Sequence, residues 1–185
     1  MNGTWFNINL TGKLDPFFNK LKLLHGITER KPYLKLVHLR FLNWINENFE
    51  KHGAEKRWEV RSPNTIAAML TGRGSHPPLR DTGRMAQSFT SGSRVEPSRD
   101  MVVIGSQDRK AKWHHFGTDP YIIRPKPDNE RGLLTFVTVA GIRSLKEVHH
   151  PGLPARPLLP SKNLSISLAK YVLEAYLARI KHGET

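Results

Sequence analysis

Two adjacent histidine pairs, His114-His115 and His149-His150, are the residues whose type most invites a chemical reading. Neutral imidazole is a common metal ligand. The spacing argues against a shared ion. Neighbouring residues on a helix or a strand point in different directions, so each pair offers one ligand at most. Asp119 and Glu147 are the carboxylates near them in sequence. The residues therefore read as structural or interface histidines, and no metal site is expected. Ser88 and Ser106 lack the glycine spacing of a nucleophile elbow. Gly72-Arg73-Gly74 has no following Lys-Ser or Lys-Thr with which to cradle a phosphate. The carboxylates, among them Asp15, Glu47, Glu59, Asp100 and Asp108, follow no spacing that would hold magnesium. The expectation is a protein without catalytic residues and without a cofactor.

Charge points to partners instead. Twenty-nine Lys and Arg stand against sixteen Asp and Glu, a formal charge of +13. Acidic surroundings are implied, nucleic acid being the usual ones. The basic residues are dispersed rather than clustered, which speaks against a groove-reading DNA motif. There is no cysteine, which excludes disulfides and thiolate metal sites. No apolar run has the length of a membrane span, so a soluble protein made in a cytoplasm is expected.

The elements that must position these side chains follow from periodicity. Phe6, Ile8 and Leu10 alternate as a strand or an extended arm. Asp15-Pro16 starts a helix that Gly26 stops. A second start at Lys31-Pro32 opens the strongest amphipathic pattern, Leu34, Val37, Phe41, Ile45 and Phe49, which runs to Gly53. Trp44 lies on that helix and reads as core; Trp58 reads as an anchor after a polar loop. Ser62-Pro63 starts a third helix with Ile66, Met69 and Leu70 facing inward. Thr71 to Arg80 is a surface loop. Thr82 is the expected cap of a short helix carrying Met85 and Phe89 on one face, and Met101 to Ile104 is a buried strand. Gly117 ends the segment Lys112-Trp113-His114-His115-Phe116. Tyr121 to Arg124 and Leu133 to Val139 are expected to pair as a β-hairpin with a polar tip, Pro125 to Gly132. Prolines hold 149–160 extended. Ser161 caps a last helix with Leu164, Leu168, Val172, Ala175 and Leu177 on its apolar side.

The fold class expected is α+β: a small antiparallel sheet with a projecting hairpin, packed against several helices, including a long N-terminal and a C-terminal one. A single domain is expected, divided into an arm (1–14), a helical part (15–53), an α+β core (54–160, with the hairpin at 121–139) and a C-terminal helix (161–185).

From Gly53 to the C-terminus the order of small motifs resembles a known family. Gly53 and Trp58 precede Ser62-Pro63 and Thr65. Leu79 and Thr82-Gly83 come before Ser88-Phe89. Val102-Val103-Ile104-Gly105-Ser106, Trp113-His114-His115-Phe116-Gly117 and Ile123-Arg124-Pro125-Lys126 follow. Leu134 and Phe136 come next, and His150-Pro151-Gly152 leads into Pro154-Ala155-Arg156-Pro157-Leu158-Leu159. This is similar to the virion morphogenesis, or tail-completion, proteins of tailed bacteriophages. The His114-His115 pair is a variant of the family's segment before the glycine. Met1 to Gly12 matches nothing in it.

The resemblance implies a non-enzymatic structural protein of the virion neck, present in the host cytoplasm during assembly. It implies a homo-oligomeric ring, sixfold by preference. Its partners would be connector or head-completion proteins, tail-terminator proteins or tail-tube proteins, and non-specific contact with packaged DNA is compatible with the charge. The alternative class is a free-standing basic nucleic-acid-binding protein. Assembly-interface candidates are Trp113, His114, His115, Phe116, Lys126, Arg131, His150 and Arg156. In its stiffened segment, Arg156 is expected to make bidentate bonds to carboxylate or backbone acceptors. The DNA-facing candidates are Arg73, Arg80 and Arg84; the competing account sets the same charges against acidic neck proteins.

Overall fold

Helix α1 (Lys31–Glu50) is the element on which the others are laid. Its periodic apolar residues all go inward: Tyr33, Leu34, Val37, Phe41, Trp44, Ile45 and Phe49 are buried. Each such side chain contributes about 1.5–3 kcal/mol on leaving water. This is a computed structural model, and it describes residues 6–9, 19, 31–70, 78–96 and 101–182. Of the expected helix from Asp15 to Gly26 only Asn19 is among the described residues, and it is helical; the loop residues 71–77 lie outside them.

Five further elements complete the main body. Helix α2 (Pro63–Leu70) follows the polar loop, and helix α3 (Arg84–Gly92) follows a turn. Strands β1 (Phe6–Asn9), β2 (Arg94–Glu96) and β3 (Met101–Ser106) form one antiparallel sheet in the order β1-β3-β2. The register sets Phe6 opposite Ser106 and Arg94 opposite Val103. The central strand β3 is buried from Val102 to Ser106 because both α1 and α3 cover it. Phe89 of α3 meets Phe49 of α1 at 6.1 Å, and Trp58 meets the same ring edge-on at 5.5 Å.

Helix α4 (Arg109–Phe116) leaves the end of β3, and helix α5 (Lys162–Lys181) returns across α1. The Ser161 hydroxyl accepts from Leu164 N, as its capping position requires, and Glu55 Oε2 accepts from Ser161 N. The face of α5 toward the core carries Ser165, Leu168, Ala169, Val172 and Leu173. Ala175, expected on that side, is exposed.

The second half of the chain corrects the hairpin expected at 121–139. Strand β4 (Tyr121–Ile123) does not pair with β5 (Leu134–Thr138). Both pair with the stretch after them: β5 with β6 (Gly141–Leu145), and β4 with β7 (Val148–His150). The two expected strands are thus one leg of a longer ribbon, with Val139-Ala140 as its turn. Residues 124–133, which contain the expected polar tip, are an insertion in that leg. The opposing leg, 141–150, bends at Lys146 and spans ~30 Å if extended. A two-residue turn closes a hairpin with less loop entropy than a ten-residue one, and Gly141, the first residue after it, takes the left-handed conformation (φ 101°).

Two smaller corrections concern α2 and α3. Helix α2 is capped as expected, with Thr65 N donating to Ser62 Oγ, but it buries no side chain; Leu70 is 68% exposed. Strand β5 packs beside it, and Ile66, Met69 and Leu70 line an open pocket with Val60 and Pro78. At α3 the capping position belongs to Gly83, in the left-handed region at φ 70°, and Thr82 contributes only a long 3.5 Å bond to Arg84 N.

Candidate assembly interface

The segment from α4 to the last proline is one hydrogen-bonded unit. Asp108 starts α4, its side chain accepting from Lys110 N at 2.9 Å. Gly117 ends it at φ 78°, and a Cβ there would sit 2.7 Å from Leu153 O. That close approach lets the chain at 153–159 lie along the helix. Thr118 N donates to Leu153 O, Leu153 N to Thr118 Oγ1, and Arg156 N to His114 O. His115 Nδ1 accepts from Leu158 N at 3.0 Å and Leu159 N at 3.4 Å. Prolines at 154, 157 and 160 lack N–H groups, and the N–H groups of Leu153, Arg156, Leu158 and Leu159 are tied down.

The same segment reaches back to α1. Pro157 O accepts from Asn48 Nδ2 at 2.9 Å and from Trp58 Nε1 at 3.3 Å. Asn48 Oδ1 in turn accepts from Ala54 N at 2.7 Å. Asn48 is only 1% exposed, and the reading of the sequence missed it. A signal was present: it stands four residues after Trp44 and three after Ile45, on the apolar face, where an amide requires partners.

The candidates divide by environment. Arg156 is 8% exposed, and one of its guanidinium nitrogens donates to Glu59 O at 3.2 Å. The expected bidentate geometry is absent: Arg156 Nε is buried without a partner among the described residues, as is His114 Nδ1. Arg156 thus ties the proline segment to the chain at Glu59. Burial holds His114 below the usual imidazole range, and the Arg156 charge adds to this. Burial does the same for His115. Both rings are neutral near pH 7, and His115 must carry its proton on Nε2 to accept at Nδ1.

The other histidine pair has different neighbours. His149 Nε2 lies 3.2 Å from Glu147 Oε1, and His150 stacks on Tyr121 at 4.8 Å while its Nδ1 accepts from Gly152 N. Among the described residues, no group of three His, Cys, Asp or Glu is placed to hold a metal ion. Ser88 gives its proton to Met85 O, so Ser106, which also accepts from Asp108 N, donates to Ser88. Those hydroxyls fix α3 to the end of β3.

Trp113, Phe116, Lys126 and Arg131 are exposed, as are Arg80 and Arg84 ahead of and within α3; Arg73 lies outside the described residues. Trp113 and Phe116 are 50% and 63% exposed. The ribbon adds Val139 and Ile142 at 69% and 74%, with Leu145 also exposed.

The fold and these surfaces define an α+β protein with a continuous core under its sheet and large apolar side chains left outside it. No helix among the described residues is long and apolar enough to cross a membrane. Comparisons with protein-family models, curated proteins and solved structures find no match.

Proposed function

We propose that the protein is a structural subunit of the neck of a tailed bacteriophage, completing the tail or joining it to the head connector as part of a homo-oligomeric ring. The observation that carries this reading is the ribbon of β4 to β7. It is two strands wide, and its turn and second leg expose Val139, Ile142 and Leu145. Helix α2 lies along β5, while every residue of β6 stays exposed. A subunit built to join neighbours covers that open strand when assembled. The motifs behind the family resemblance support the reading from another side. Ser88-Phe89, Val102 to Ser106, Trp113 to Gly117 and Pro154 to Leu159 are consecutive parts of one bonded framework, as a shared fold requires.

The test uses Ile142→Asp with Leu145→Asp. Both side chains are exposed, so the subunit should keep its circular dichroism and melting temperature while ring formation and the yield of joined particles collapse, read by light scattering and electron microscopy. Joined, infectious particles carrying the doubly substituted subunit would sink the proposal. The second reading, a free-standing nucleic-acid-binding protein, is supported by the charge of +13. It requires a monomer whose DNA affinity falls steeply with salt.

A further inference from the structure

Helix α4 is inside out. Arg109, Lys112, Trp113 and Phe116 follow the i, i+3, i+4, i+7 spacing of a single helical face, and all four are exposed. The opposite side carries the small buried Ala111, with His114 and His115 half-buried against the proline segment. The large apolar groups of this helix therefore face solvent, the reverse of an ordinary surface helix. The face is held in place. Phe116 meets His115 edge-on at 4.5 Å, His115 is fixed by two backbone N–H groups, and Gly117 presses the helix end against Leu153. A pre-ordered surface loses little entropy on binding.

Its charge is of one sign. Arg109, Lys110 and Lys112 are the charged residues of α4, its two histidines being neutral, and the acid before it, Asp108, is turned to the cap. From this we propose that the outer face of α4 is a docking surface for an acidic segment of a partner protein. Carboxylates of that segment meet the basic side of the helix at Lys112, and an aliphatic or aromatic side chain lies against Trp113 and Phe116. Trp and Arg are the residue types that concentrate binding energy at protein interfaces.

Charge complementarity selects this occupant over the others. A second copy meeting this face with its own α4 would set cations against cations. Duplex DNA rewards cations at phosphates but gains little from an exposed phenylalanine on a convex helix. Single-stranded nucleic acid stacks on aromatics within a basic groove, and α4 is a ridge. The inference stands on this helix face and does not require the neck reading.

The experiment uses the full chain and fluorescently labelled probes: an amphipathic helical peptide of Glu and Leu, its Lys and Leu counterpart, a single-stranded oligonucleotide and a DNA duplex. Anisotropy should show binding of the Glu/Leu peptide and none of the Lys/Leu peptide. Trp113→Ala and Lys112→Glu should each weaken binding about tenfold. Lys170→Glu, exposed on α5, should leave it unchanged. Because part of the contact is apolar, affinity should survive a rise from about 50 to 200 mM salt far better than phosphate binding does. Absence of Glu/Leu binding, or binding that ignores Trp113→Ala, overturns the proposal. So does tighter binding of either nucleic acid that Lys112→Glu abolishes, since the face would then be a phosphate surface. Phe116→Ala provides a second reading of the apolar contact, and circular dichroism confirms that each variant is folded.

Discussion

The shared carbonyl of Pro157 allows a sharp test of how the chain is tied together. It accepts from both Asn48 Nδ2 and Trp58 Nε1. Asn48→Ala removes the first donor and also the acceptor of Ala54 N. Pro157 O keeps Trp58, and Ala54 is at the surface where water can take its N–H. The single variant then loses two hydrogen bonds worth about 0.5–1.5 kcal/mol each, and a little packing, for a total of about 1–3 kcal/mol. Trp58→Phe loses one bond and part of a ring, but Asn48 still satisfies the carbonyl. Only the double variant leaves Pro157 O without either donor, in a stretch where Leu158 and Leu159 are buried. An unsatisfied buried acceptor costs about 1–3 kcal/mol. The two substitutions should therefore be more damaging together than their sum by about that amount. Urea denaturation of the four proteins, followed by far-ultraviolet circular dichroism, measures the coupling directly. Additivity within about 0.5 kcal/mol would refute the shared-acceptor reasoning, because independent sites add to that tolerance.

Three other outcomes are expected. Burial holds the His114 and His115 rings below their ordinary range, so the unfolded chain binds more protons between their folded values and about 6.5. Stability is full above about pH 6.5 and falls as pH drops through that window, by at most about 1.4 kcal/mol per pH unit for each ring. His115→Asn, whose Oδ1 can replace Nδ1 as acceptor, should flatten the acid limb of a stability profile; an unchanged limb would show that His115 does not titrate in folding. Gly152→Ala should cost about 3 kcal/mol or more, since φ is +93° and the new Cβ would lie 2.2 Å from Thr118 O. Gly132→Ala, at φ +60° with nothing within 4 Å, should cost only about 1 kcal/mol; equal thermal shifts for the two would refute the close-contact argument.

What the sequence makes legible depends on how far a signal reaches. The heart of α1 is readable because the spacing of Leu34 to Phe49 is itself the cause of burial. The strand at Met101 to Ile104 is readable because an apolar β-branched run has few other destinations. Ser161 and Gly117 act within a turn of where they stand. The ribbon was misread because pairing is a relation between distant segments. Every residue of β6 is exposed, so Gly141 to Leu145 carries no inside–outside alternation to betray it. The apolar face of α2 was visible, but a pattern shows which side of a helix is oily and not whether anything lies over it. Arg156 shows a related limit. Its prolines announce a stiff segment, and only the fold reveals that stiffness aims the guanidinium at Glu59 O rather than outward. On α4, Trp113 and Phe116 could be singled out for size and charged neighbours; that they share one outward face depends on α4 forming in that register.

The pairing of β1 with β3 has a consequence for the order of events on the ribosome. Phe6 lies opposite Ser106, so nearly a hundred residues must be made before the first strand finds its place. Meanwhile β2 and β3, only a few residues apart, can pair as soon as both emerge. Closing the long loop carries an entropic penalty that grows slowly with length, but the search precedes any reward. The nascent chain must therefore keep its opening strand unmated while α1 and α3 are synthesised, and β3 offers a vacant edge until that strand returns. Conditions that slow the return, such as rapid production at high concentration, would let edges of different chains find each other first.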